Sequence, residues 1–184
     1  NTFFFIINNS LLRVPDTIKS RCIDLYFSKP LKAKLDNNLS QINLYDLVDG
    51  NMKIINELDD TDVNKIEPFL NLYNNYLKDS NQSAIIKLIS NLEKLSKSNK
   101  PLFLIYIDVL KNYYRDLAIT KIDSKSKELT FLFLKDDYSI INQKKMSLSW
   151  EGCIDNICKF EKDIEVNLNL TLSLFNLFNN IGPK

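Results

Sequence analysis

Apolar residues recur along most of this chain at intervals of three and four, the spacing that gathers them on one face of an α-helix. Between positions 62 and 78, Val63, Ile66, Phe69, Leu70, Tyr73 and Leu77 follow one another in steps of three, three, one, three and four. A polar break at 80–82 separates them from a second stripe, Ile85, Ile86, Leu88, Ile89, Leu92 and Leu95, with Ser83 placed to cap it. Pro101 suits the first turn of a long helix, where the amide hydrogen that proline lacks would have no partner. Phe103, Ile107, Leu110, Tyr114 and Leu117 carry that helix to about Ile122. After a loop at 123–127, residues 129–134 form an apolar run that periodicity assigns to neither helix nor strand. Two further helices are predicted at about 150–166 and 168–181, the last stopped by Gly182-Pro183. About five substantial helices after Asp62 are enough for an antiparallel bundle.

The first third reads differently. Residues 3–7 are five bulky apolar residues in a row, too short for a helix and suited to a strand buried on both faces. Residues 22–27 alternate and predict a second short strand, closed by Ser28-Lys29-Pro30. A short helix at 31–41 and a helix pair turning at Asp49-Gly50 follow. The acidic run Asp59-Asp60-Thr61-Asp62 marks a boundary. The expected fold is therefore mainly α: two short strands within 1–29, short helices within 30–60 and a C-terminal helical bundle (61–184).

Composition narrows the chemistry more than the architecture. The chain of 184 residues is 45% hydrophobic and 26% charged, the balance of an ordinary globular protein. No apolar run approaches the roughly 20 residues that cross a bilayer, and the apolar start has neither a basic leader nor a cleavage site. It opens without Met directly into a strand-like run, which predicts a piece whose N-terminal portion lies elsewhere. Three glycines argue against a turn-rich β protein and leave no phosphate loop of the Gly-x-x-x-x-Gly-Lys-Ser/Thr kind. With no histidine, a His base or His-ligated metal is excluded. Cys22, Cys153 and Cys158 lack close metal-ligand spacing and fit reduced thiols of the cytoplasm. A net charge of +1 gives no support for strong nucleic-acid binding through overall charge.

One segment is specific. Val14-Pro15-Asp16-Thr17-Ile18-Lys19-Ser20-Arg21-Cys22, set between two strand-like runs, resembles the clamp-loader branch of the AAA+ ATPases, and within it bacterial DNA polymerase III subunits of the delta-prime type. The resemblance implies that Asn8 occupies or adjoins the sensor 1 position. It also implies that Arg21 is an arginine finger presented to ATP on a neighbouring subunit, with Pro15, Thr17, Ser20 and Cys22 as supporting motif residues. The residue type fits: a planar, permanently charged guanidinium bridges the γ-phosphate oxygens over which phosphoryl transfer spreads charge, whereas lysine offers only a point charge. Ser20 is then a donor to the loop backbone and Cys22 a small apolar residue entering the strand. Against this stands the plain reading of Arg21 as an exposed arginine at a strand start.

The same resemblance implies that 1–29 is a two-strand remnant of an α/β domain and 30–60 a shortened helical lid, with Lys53 of the stretch 48–55 at the sensor 2 position. The second expected glycine is absent, lysine stands for arginine, and the lid is about one helix short, so a solvated lysine is the preferred reading of Lys53. Tyr113-Tyr114-Arg115-Asp116-Leu117 and Asn167-Leu168-Asn169-Leu170-Thr171-Leu172 resemble stretches of the collar domain that joins clamp-loader subunits into a ring. Trp150 reads first as a buried anchor and second as an interface residue. The implied partners are the ATPase subunit and the delta subunit, and through them the sliding clamp and primed DNA. ATP and magnesium are expected on the partner, and neither a nucleotide nor a metal site on this piece. The alternatives are a fragment of the gamma/tau ATPase subunit of the same loader, or an unrelated helical protein-interaction module.

Overall fold

The computed structural model describes residues 15–23, 47–48, 60–144, 149–164 and 169–182. The chain divides into two units, Asn1–Ala33 and Lys34–Lys184. In the first, the described residues form one helical turn, Asp16–Lys19, and the bend that follows it. The second holds helices α1 (Asp60–Asp79), α2 (Gln82–Ser98), α3 (Lys100–Ile122), α4 (Lys135–Lys144), α5 (Trp150–Ile164) and α6 (Leu170–Ile181). A 3-10 turn, Leu132–Leu134, leads into α4. The protein is mainly helical, with no β-strand among the described residues. No helix among them is long and apolar enough to cross a membrane.

Asparagine does much of the punctuation in this glycine-poor chain. At the start of α2 the Asn81 side chain accepts from the Ser83 amide at 3.0 Å and the Ser83 hydroxyl at 2.8 Å. The cap is therefore Asn81, whose extended backbone suits that position, and Ser83 is the second residue of the helix, within its first turn. Asn99 ends one helix and begins the next: its amide donates to the Leu95 carbonyl at 2.7 Å while its side chain accepts from Leu102 at 3.1 Å. Pro101 occupies the first turn of α3, as its missing amide hydrogen allows. Asn169 caps α6 by accepting from Leu172 at 3.2 Å. Between α1 and α2, Ser80 takes the left-handed conformation (φ 54°) that closes helix ends, its amide donating to Tyr76 at 2.9 Å.

Helix α3 is the axis of the bundle. Leu102, Phe103, Ile105, Tyr106, Ile107, Val109, Leu110, Tyr113, Tyr114 and Leu117 are all buried, so its apolar surface runs almost all round. Such a helix must be enclosed, and α1, α2, α4 and α5 pack against it, with α6 closing against α2 and α5. The ambiguous run at 129–134 and the polar stretch after it supply an element that periodicity did not predict. Leu129, Phe131 and Leu134 are buried, and α4 adds only Tyr138 and Ile141 to the core. Leu47 and Val48 join this same core, and Asn112 donates to the Leu47 carbonyl at 3.4 Å. The rest of the strands, short helix and helix pair expected between 1 and 59 lies outside the described residues.

Aromatic rings tie the helices together, by edge-to-face and tilted contacts. Tyr73 of α1 meets Tyr113 at 5.4 Å between ring centres and Phe178 of α6 at 5.8 Å, while Tyr113 meets Tyr138 of α4 at 5.2 Å. Such pairs contribute about 0.5–1.5 kcal/mol each beyond the area they bury. Trp150, 1% exposed, lies 5.9 Å from Tyr114 and donates its indole N–H to Asn142 at 2.7 Å. It is a buried anchor.

The stop after α6 is steric. Gly182 has an extended backbone (φ −80°, ψ 178°), not a left-handed one, so its value lies in having no side chain. A Cβ there would stand 2.5 Å from the Phe178 carbonyl oxygen and closer still to the Tyr76 hydroxyl. Gly182→Ala is therefore expected to destabilise the protein by about 1–3 kcal/mol, the usual cost of overpacking. Urea unfolding of the variant beside the wild type measures it, and an unchanged midpoint would contradict the close approach.

Candidate functional site

The exposed arginine turn is built by local backbone bonds. Pro15 offers its carbonyl to the Ile18 amide at 2.9 Å, and Asp16–Lys19 complete one helical turn. The Arg21 amide then donates to Ile18 at 3.0 Å, and the Ser20 hydroxyl donates to the Thr17 carbonyl at 3.3 Å. Carbonyls that so short a helix leaves open are thus satisfied by the two residues that follow it. Pro15, Thr17, Ser20, Arg21 and Cys22 are all exposed, and Arg21 makes no ion pair among the described residues. A guanidinium in this position keeps all five donors available to an incoming anion.

Cys22 and Ile23 differ from the strand start that the alternation predicted. Cys22 sits exposed in a bend and Ile23 is 90% exposed. The reason is local: residues 16–21 satisfy one another within the turn, so nothing in that stretch draws Cys22 into a ladder. Asn8 and Lys53 lie outside the described residues. The structure therefore brings together Pro15, Thr17, Ser20, Arg21 and Cys22, and says nothing of the two sensor-like positions.

The second unit has its polar chemistry inside. Asp116, fully buried on α3, accepts from the backbone amides of Thr130 at 3.1 Å and Phe131 at 2.9 Å, and so pins the loop between α3 and α4. Arg115, 44% exposed, reaches from outside: its Nη1 lies 4.0 Å from the Asp116 carboxylate and donates to Thr130 Oγ1 at 3.2 Å. The Tyr138 hydroxyl of α4 is buried beside Asp116 without a hydrogen bond of good geometry among the described residues. Burial pushes the Asp116 carboxyl up to about 6, against the two amides and Arg115, which pull it down. Burial likewise raises the phenols of Tyr73, Tyr113, Tyr114 and Tyr138, which act as neutral donors and acceptors.

The remaining polar contacts join helices. Tyr113 donates to Asn74 at 2.8 Å, Asn74 donates to Asp137, and Lys78 pairs with the other oxygen of Asp137. Lys111 bridges Asp108 at 2.6 Å and Glu161 of α5 at 2.9 Å. Burial works against the Lys111 charge, but hydrogen bonds to those two carboxylates outweigh it and hold its pKa above the ordinary lysine value. No group of three Cys, Asp or Glu side chains is gathered for a metal among the described residues. Sequence reasoning named Asp116 only as part of the Tyr113–Leu117 stretch, although a signal for a buried acid was present: three residues after Tyr113 and one before Leu117, it falls within the apolar surface of a helix that is apolar almost all round.

Comparison with known protein families, with curated proteins and with solved structures finds no match to this chain.

Asp116 makes stability depend on pH in a definite direction. Its folded pKa, about 6, lies above the unfolded value of 3.8, so between these the folded state holds more proton. Its contribution is greatest below about pH 4 and is lost as pH rises to about 6, at about 1.4 kcal/mol per unit. Asp116→Asn removes this titration and leaves one backbone amide facing an NH2 group. The stability difference, wild type minus variant, is expected to fall from pH 4 to pH 6 and then level off. Urea unfolding at a series of pH values reads that difference, and a pH-independent value would refute the assignment.

Proposed function

We propose that this chain is the C-terminal part of a delta-prime-type subunit of the bacterial replicative clamp loader. In this reading the helical bundle is the collar that joins subunits, and the exposed turn carries an arginine finger. The observation that carries the reading is Ser20-Arg21-Cys22, held on a self-satisfied turn with the guanidinium exposed and unpaired among the described residues. The mainly helical second unit, with a core of interlocked aromatic side chains, supports the role of a rigid scaffold.

In this assembly the chain performs no chemistry alone. ATP and magnesium are held by the neighbouring ATPase subunit in the cytoplasm. Arg21 reaches across to the γ-phosphate, where its fork neutralises charge that develops in the transition state. The delta subunit, the sliding clamp and primed DNA are the further members of the complex.

Reconstitution of the full-length subunit with its ATPase partners tests the assignment. Arg21→Ala is expected to leave assembly intact in size-exclusion chromatography while lowering hydrolysis at the facing site by about 10³-fold or more, the usual weight of an arginine finger. Clamp loading falls with it, and Arg21→Lys recovers little of either, because a point charge does not reproduce the fork. Unchanged DNA-stimulated hydrolysis and clamp loading with Arg21→Ala would overturn the finger.

A further inference from the structure

The net charge of +1 conceals a segregation of charge on α2. Ala84, Leu88, Ile89 and Leu92 face the core. Lys87, Ser90, Asn91, Lys94, Lys97 and Ser98 are exposed, and the steps of four, three and four from Lys87 through Asn91 and Lys94 to Ser98 align them along one face. The one carboxylate of the helix, Glu93, is half-buried at its edge and is held by Lys97 at 2.8 Å. Lys87 and Lys94, and Lys100 just beyond, make no ion pair among the described residues. From 82 to 100, four lysines against one glutamate leave +3, so the rest of the chain carries −2. The exposed lysines of α5, Lys159 and Lys162, are by contrast interleaved with Asp155 and Asp163.

The composition of this face selects among polyanions. Lysines alternating with Ser and Asn side chains are the donors that proteins place on the phosphates of nucleic acids. The face bears no aromatic ring on which unpaired bases would stack, and Ile86 is its one exposed large apolar residue, too little to anchor a helix in a membrane surface. We infer that the solvent face of α2 docks on the phosphate backbone of a nucleic-acid duplex, without regard to its sequence. This goes beyond the clamp-loader reading and does not depend on Arg21. It also revises the expectation, drawn from total charge, of no strong direct nucleic-acid contact.

Fluorescence anisotropy with the full chain and a random-sequence DNA duplex tests it. Binding is expected at about 50 mM salt, falling with a log–log slope of about −3 as salt rises, because three to four phosphates are neutralised. Lys87→Gln, Lys94→Gln and Lys97→Gln together are expected to weaken binding at least about tenfold and to flatten the slope. Lys159→Gln with Lys162→Gln leaves both unchanged. These are solvent positions, and circular dichroism confirms that each variant is folded. No binding by the wild type at low salt, equal losses in the α5 control, or equal binding to anionic lipid vesicles would each overturn the inference.

Discussion

A helix buried along almost its whole length must find a partner for every polar side chain it carries. Lys100–Ile122 carries several: Tyr113, Tyr114, Asp116 and Thr120 are all buried. An unpaired polar group there would cost about 1–3 kcal/mol, a large share of the stability of a small domain. The packing of the bundle follows from where those partners are found. Tyr114 bonds the Tyr73 hydroxyl of α1 and donates to the Ile181 carbonyl at the end of α6. Tyr113 bonds Asn74 of α1, and Asp116 takes two amides from the loop that leads into α4. Thr120 turns back on its own helix, bonding the carbonyls of Asp116 and Leu117.

These bonds reach far along the chain, from α1 to the end of α6. Asn142 of α4 donates to the Leu117 carbonyl and to Thr120 Oγ1, both at 3.1 Å, and accepts from Trp150 of α5. Asn74, Asp137 and Lys78 couple α1 to α4 beside the same tyrosines. Hydrophobic burial alone would let the helices slide past one another. Directional partners at fixed positions specify one arrangement, since any shift would leave a buried donor or acceptor unmet. The absence of a side chain at Gly182 serves the same end, because it lets the end of α6 close against Tyr76.

The polar chemistry divides cleanly by location. Inside the bundle it is spent on structure, and the tyrosines and Asp116 are enclosed. At the surface some of it is left unused: Arg21 lies on its turn in the first unit, and Lys87 and Lys94 of α2 lie in the second. Both surface features are cationic groups without ion-pair partners among the described residues. That shared character suits recognition of phosphate, by a single guanidinium in one case and a row of ammonium groups in the other.

The stripes from Val63 to Leu77 and from Ile85 to Leu95 were sufficient to place α1 and α2, because a three-and-four spacing reports which side of a helix is apolar. Pro101 marked the start of α3, and Trp150 was read correctly as an anchor. Helix α4 escaped because its one turn of core contact, Tyr138 and Ile141, is too brief a pattern to stand out from a polar stretch. The cap of α2 fell to Asn81 and not Ser83 because only the backbone of Asn81 is extended at that point. Asp116 was visible as a letter but not as a buried acid, since its environment is made by Thr130, Phe131 and Tyr138. Local sequence thus determined the helical segments other than α4, and where the exposed arginine lies. The tertiary structure decided which polar residues are enclosed, because a periodic pattern shows the apolar face of a helix and not what packs across from it.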